Sequence, residues 1–192
     1  KELPDCTVLD GCIYVSASLE HPGVLVQHGP ILRVVFGPRD PSYISPILSA
    51  IQSDLCESGI DGVLSTHIQR DALEKFSYVS PIGAAGVYLH AVAGDFQKEG
   101  PARELFKSMI REISALAAAM GYPFEKDYVK INLEILSNLS ADATTSMQRD
   151  IMEGKPSELD GLVMEPLRLA KKYSVSMPCY EEVAKVLCPL EF

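Results

Sequence analysis

Two periods run along this chain. Up to about residue 66, short apolar or β-branched runs (residues 12–17, 24–26 and 31–36) are separated by Pro22-Gly23 and Gly29-Pro30. Runs of this length bounded by Gly and Pro predict strands joined by turns, here an antiparallel meander. Asp40-Pro41 then opens a helix with Ile44, Ile47, Leu48, Ile51 and Leu55 on one face, and Gly59 stops it. Val63-Leu64 reads as one more short strand.

Beyond His67 the period becomes helical. Residues 67–91 are apolar on all sides after Lys75, the pattern of a buried central helix, with Pro81 and Gly83 expected to kink or break it. Pro101 sits at the favoured first position of the next helix. Leu105, Phe106, Met109, Ile110, Ile113, Leu116 and Met120 form its core face, and Gly121 ends it. Further helices are expected over 125–137, 141–153, 157–173 and 178–187, with Pro166 bending the one it falls in. No internal repeat is visible.

Composition narrows the function classes. With 192 residues, 47% apolar and 22% charged, the chain has an ordinary globular composition and enough length for a sizeable core. A net charge of −9 disfavours nonspecific binding to nucleic acid or anionic membrane, while leaving room for a local site that takes an anionic substrate. Five cysteines without a Cys-x-x-Cys pair fit reduced thiols in a cytoplasm. The histidines lack metal-ligand spacing, so no metal is expected. No apolar run approaches the roughly 20 residues that span a bilayer. A Gly-x-Gly-x-x-Gly after a strand is also missing, and with it the usual dinucleotide phosphate site.

The most informative local pattern is Thr144-Thr145-Ser146-Met147-Gln148-Arg149-Asp150-Ile151 followed by Gly154-Lys155-Pro156-Ser157-Glu158-Leu159-Asp160. Ser157 reads as an N-cap, with Asp160 three residues on as an acidic variant of the capping box. Glu158 then falls in a first turn, where free N–H groups stabilise its charge. Taken alone, this is also what an ordinary helix start looks like.

The same run resembles the C-terminal motif of the ketopantoate reductase family: Ser-Ser-Met, two variable residues, Asp, then Gly-x-Pro-Thr-Glu-Ile-Asp. Here it stands as Thr145-Ser146-Met147, Asp150 and Gly154 to Asp160. Tyr173-Ser174-Val175-Ser176-Met177-Pro178 is similar to that family's approach to its last helix. Glu20 to Val24 with Gln27-His28-Gly29 resembles the hairpin closing its nucleotide-binding domain. Ala72-Leu73-Glu74-Lys75-Phe76 looks like the segment with its catalytic lysine, and Gly121-Tyr122-Pro123 like the turn after its first long C-terminal helix. The resemblance runs in order over roughly residues 5 to 188.

The resemblance implies an α+β fragment in two parts. Residues 1–66 would be the closing strands and helix of a Rossmann-type nucleotide-binding domain. Residues 67–192 would be a mainly α-helical substrate-binding and dimerisation domain, similar to the helical bundle of the 6-phosphogluconate dehydrogenase C-terminal domain. It further implies a cytoplasmic, NADPH-dependent reductase of a small 2-oxo acid, ketopantoate to pantoate in pantothenate and coenzyme A synthesis, and a homodimer formed through the helical domain. NADPH would be held mainly by a domain outside this chain, so the fragment alone is expected to be inactive.

Lys75 would be the catalytic residue. Reducing a 2-oxo acid requires a proton at the carbonyl oxygen, and an ammonium can stabilise the growing alkoxide and then donate. Without the resemblance, a lysine after Glu74 on a helix is usually a solvated surface residue. Glu158 would accept from the substrate hydroxyl, and Ser146 would donate to the substrate carboxylate. The bland alternative for Ser146 is a helix residue bonding back to its own turn.

The chain departs from the family pattern at three points. Val79 and Gly83 stand where the family has asparagines four and eight residues after the lysine, and Ala93 replaces another before Gly94. Either the 2-oxo acid differs, or Tyr78, Ser80 or His90 substitute, or the chain is a non-catalytic helical interaction module that keeps the fold.

Overall fold

The computed structural model describes residues 6–189; residues 1–5 and 190–192, the outer ends of the two expected domains, lie outside the described residues. The alternating first part forms a long hairpin. β1 (Leu9–His21) and β2 (Val24–Pro38) pair antiparallel, and β2 pairs in parallel with β3 (Asp61–Leu64), in the order β1-β2-β3. Residues 24–26 and 31–36 thus belong to one strand where the sequence suggested two. Gly29 takes a left-handed φ of 83°, and the register steps from Val15↔Leu32 to Ala17↔Gln27, so Gly29-Pro30 forms a bulge and not a turn. The third strand is parallel because α1 (Pro46–Glu57) carries the chain back before β3 begins, which a meander does not allow.

α1 also starts later than its pattern suggested. Asp40 accepts the Ser42 N–H at 2.9 Å and caps a single 3₁₀ turn, Pro41–Tyr43, and the α-helix begins only at Pro46. Its packed face is narrower than the sequence suggests. Leu48 is buried, Gln52 donates to the Gly62 carbonyl at 3.1 Å, and Leu55 lies against Gly62, while Ile47 and Ile51 are exposed.

Eight helices and a π-turn are described: α2 (Ile68–Leu89), α3 (Ala93–Gln97), α4 (Pro101–Ala119), α5 (Tyr128–Ser137), α6 (Ser146–Met152), the π-turn (Asp160–Met164), α7 (Glu165–Tyr173) and α8 (Pro178–Leu187), α1 completing the eight. The chain divides into two compact units, up to Ala72 and from Leu73. In the first, Cys12, Val35 and Ile68 form a small core with Tyr14, Val63 and Ala72 against it. In the second, α4 is central. Its Phe106, Met109, Ile110, Ile113 and Leu116 pack with Phe96, Leu136, Val163, Tyr180 and Val183. Each such side chain contributes about 1.5–3 kcal/mol by leaving water. Glu112, on the same helix, accepts the N–H groups of Cys179 and Tyr180 at 2.8 and 3.1 Å, satisfying first-turn donors of α8 from outside that helix.

α2 runs as one helix through Pro81, so the expected break does not occur. A proline cannot give an N–H to the carbonyl four residues back, which here is Ser77. The buried Asn132 of α5 fills that place, its Nδ2 donating to the Ser77 carbonyl at 3.0 Å and to Ser77 Oγ at 3.1 Å. Pro166 creates the same deficit at Leu162, where the chain widens into the π-turn and Ser80 Oγ donates to the Leu162 carbonyl at 2.6 Å.

Candidate functional site

Lys75 is half-buried on α2, in the second unit. At 3.6 residues per turn, Val79, Ile82, Gly83 and Gly86 continue the stripe on which it lies. That stripe has close neighbours. A Cβ placed on Gly83 would lie 3.1 Å from Met147 Cε and 3.9 Å from both Leu162 Cδ1 and Thr145 Oγ1, and one on Gly86 would lie 2.7–2.8 Å from the Gln148 amide. The start of α6 and the π-turn therefore approach α2 where it has no side chain. Lys75 is about 12 Å along the helix axis from Gly83, at 1.5 Å per residue.

The α6 end of the site is built by a capping box. Thr145 Oγ1 accepts the Gln148 N–H at 3.2 Å, and Gln148 Oε1 accepts the Thr145 N–H at 3.0 Å. Gln148 Nε2 donates to the Ala91 carbonyl at 2.7 Å, tying α6 to the chain just after α2. The helix is shorter than 141–153 for this reason: Thr145 is its cap, and the turn and loop before it accept the first N–H groups of α3, Gly94 N–H donating to Ala141 O and Ala93 N–H to Ala143 O. Ser146 is its first residue and is exposed.

Glu158 is exposed in the turn before the π-turn, and its backbone carbonyl accepts the Leu162 N–H at 2.9 Å. The capping box expected of Ser157 and Asp160 is absent. The cap position of this element is Leu159, with no side-chain cap bond, and Asp160 is held by Arg168 at 2.9 and 2.7 Å. Arg168 lowers the Asp160 pKa chiefly through these hydrogen bonds. No local signal announces this, because Arg168 is two helical turns away and also reaches Glu165 at 2.6 Å.

The three groups suggested as substitutes are placed differently. Tyr78 is partly buried with its ring edge-on to Phe106, and desolvation pushes its pKa up to about 12. Ser80 is fully buried and commits its proton to Leu162 O. His90 is exposed past the end of α2 in a left-handed conformation, φ 51°. What the sequence did not reveal are Asn132, Tyr180 and Glu112, whose partners are remote in sequence.

The structure also bears on where a nucleotide would sit. Gly37, the penultimate residue of β2, lies so close to the Ser65 carbonyl oxygen that a Cβ there would overlap it. That glycine serves a close backbone approach and is not at the start of a helix, where a phosphate cradle would form. Among the described residues no group of three or more His, Cys, Asp or Glu is placed to hold a metal ion, and no helix is long and apolar enough to cross a membrane. A shallow groove of about 230 Å³ beside α4 and the start of α5, lined by Arg111, Ser114, Lys126 and Tyr128 among others, contains none of Lys75, Ser146 or Glu158.

Comparison with known proteins matches residues 67–191 to a family described as the C terminal of ketopantoate reductase PanE/ApbA. The chain is 26% identical over 159 residues to 2-dehydropantoate 2-reductase of Aquifex aeolicus, covering 81% of this chain and 51% of that protein. It superposes with a TM-score of 0.84 on the crystal structure of 2-dehydropantoate 2-reductase from Methylococcus capsulatus, at 23% identity over 99% of this chain and 60% of that one. A ternary structure of D-mandelate dehydrogenase with NADH and anilino(oxo)acetate shares the fold at a TM-score of 0.78 and 18% identity, covering 92% of this chain and 58% of that one. The chain thus spans a little over half the length of the proteins it matches.

Proposed function

The chain belongs to the ketopantoate reductase family through its C-terminal part, and from that premise we propose that it forms the substrate-binding portion of an NADPH-dependent 2-oxo acid reductase. Residues 67–192 carry the substrate site and a homodimer surface, and residues 1–66 complete a nucleotide-binding domain lying mostly outside this chain. The enzyme acts in the cytoplasm, and this portion alone is inactive.

Lys75 is the proton donor in this reading. Its ammonium approaches the ketone oxygen, stabilises the negative charge that develops there, and gives up the proton. Glu158 accepts a hydrogen bond from a substrate hydroxyl, and Ser146 donates one to the substrate carboxylate. A reduced nicotinamide, bound by residues other than these, would supply the hydride for the carbonyl carbon. The observation that supports the reading is the glycine-faced stripe of α2, which has Lys75 at one end and, at the other, the segments bearing Ser146 and Glu158.

The substrate is a 2-oxo acid whose fit depends less on neutral hydrogen bonds from α2 than ketopantoate requires. Val79 and Gly83 offer none, Met147 Cε lies 3.1 Å from where a Cβ on Gly83 would sit, and Ala93 is buried in the start of α3. Each hydrogen-bonding partner lost from such a site costs about 1–3 kcal/mol.

The test is NADPH oxidation by this chain joined to its nucleotide-binding part, across a panel of 2-oxo acids that includes 2-dehydropantoate. Turnover that falls at least a thousandfold or so in Lys75→Ala supports the proposal, given the usual weight of a general acid and an alkoxide stabiliser combined. An unchanged rate in that variant removes Lys75 from the chemistry. A protein that neither binds NADPH nor turns over any such acid is an interaction module.

A further inference from the structure

Tyr180 and Ser80 are both fully buried, on α8 and α2, and their oxygens are 2.5 Å apart. Ser80 commits its only proton to the Leu162 carbonyl at 2.6 Å. The proton between the two hydroxyls therefore belongs to Tyr180, and the order is Tyr180 O–H to Ser80 Oγ, then Ser80 O–H to Leu162 O. The N–H of the same residue, on the preceding peptide group, donates separately to the Glu158 carbonyl at 2.9 Å. Hydrogen bonds from the last helix and from the helix bearing Lys75 thus converge on Leu162, a residue whose backbone is also bonded to that of Glu158.

The deficit that these bonds fill is built into the sequence. Pro166, four residues past Leu162, has no N–H for the Leu162 carbonyl, and the π-turn lies where the helical ladder is interrupted. Ser80 supplies the donor from inside the bundle. Arg168 holds the same turn on its outer side through Asp160. Tyr180 cannot drift, because Glu112 fixes the start of α8 through the Cys179 and Tyr180 amides.

We infer that Ser80 and Tyr180 are positioning residues for Glu158: they set the height of the π-turn against α2, and so the place of the Glu158 carboxylate relative to the Lys75 end of the stripe. The inference rests on the reductase reading for its functional consequence and on the hydrogen bonds that converge on Leu162 for its physical content. Neither residue touches substrate. Both act through the backbone of the segment that does.

The experiment is a steady-state cycle in the reductase assembled with its nucleotide-binding part, using the 2-oxo acid it turns over best. Ser80→Ala is expected to raise KM for the acid about tenfold, with KM for NADPH unchanged, because a small misplacement of a binding group weakens capture of its ligand. Tyr180→Phe, which keeps the ring and leaves Ser80 bonded to Leu162, is expected to raise it about two- to threefold. The deciding arm is the Glu158→Gln background. If Ser80 acts through Glu158, Ser80→Ala adds little there, whereas a general loss of stability would multiply the two effects. An effect of Ser80→Ala that persists undiminished in Glu158→Gln overturns the inference. Should Ser80→Ala fail to fold, Tyr180→Phe is carried through the same cycle, with the same deciding outcome. Absence of turnover in the unmodified enzyme sinks the reductase reading and the inference with it, whereas turnover with additive variants sinks the inference alone.

Discussion

Asn132 offers a direct measure of how the fold tolerates a proline inside its central helix. Replacing it with Leu keeps the branched outline, at somewhat greater volume, but removes the Nδ2 donor that reaches the Ser77 carbonyl at 3.0 Å. The position is 1% exposed, so water cannot replace that donor without opening the core. The lost bond is worth about 1 kcal/mol, and the buried carbonyl left bare costs about 1–3 kcal/mol more, giving roughly 2–4 kcal/mol in all. Pro81→Ala supplies the missing test. With an N–H restored at position 81, the Ser77 carbonyl regains its ordinary helical donor, and only the direct bond remains at stake. Asn132→Leu in the Pro81→Ala background is therefore expected to cost about 1–2 kcal/mol less than in the unaltered chain. The assay is urea unfolding followed by far-ultraviolet circular dichroism on all four proteins of the cycle. Additivity within about 0.5 kcal/mol would refute the reasoning, because it would mean the carbonyl was never the reason for Asn132.

Three further outcomes follow from the structure. Burial raises the Tyr78 phenol to about 12 from an ordinary 10, so the folded state holds the proton more tightly than the unfolded chain. Stability is complete below about pH 10 and falls as pH rises from there through 12, by at most about 2–3 kcal/mol; comparing Tyr78→Phe with the parent in alkaline unfolding should isolate this slope, and identical curves would contradict it. Desolvation first, and Glu112 second, push the Cys179 thiol up to about 11, so alkylation at pH 8 read by mass spectrometry should be on the order of a hundredfold slower there than at the exposed Cys6 and Cys56. Gly86→Ala places a methyl 2.7–2.8 Å from the Gln148 amide and is expected to lower stability by about 1–3 kcal/mol in thermal unfolding, a loss that a shorter residue at 148 should partly relieve.

How much was readable from sequence depends on where each element finds its reasons. α4 and α8 have theirs close by: a proline at the first turn and, in α4, an apolar face of the right period, so the core face of α4 came out as read. The hairpin was readable as strands but not in its register, since Gly29-Pro30 signals a turn and a bulge in the same letters. α1 misled because Asp40-Pro41 is a good helix start that stops after one 3₁₀ turn. In the site, Thr145, Met147 and Gln148 gather around glycines of α2, a relation legible only once the helices are packed. Asp160 read as a cap because its neighbours fit one, and Arg168 outcompeted the backbone for it. Asn132, Ser80 and Glu112 carry no local mark, their bonds crossing 55, 82 and 67 residues.

The two prolines have a consequence for how this sequence can drift. Pro81 and Asn132 form one lock and key across 55 residues, and Pro166 and Ser80 another across 82. A lineage that loses either donor first passes through a weakened intermediate, whereas one that loses the proline first does not. Substitution histories at these paired sites should therefore be ordered in time, with the ring departing before its remote partner is released.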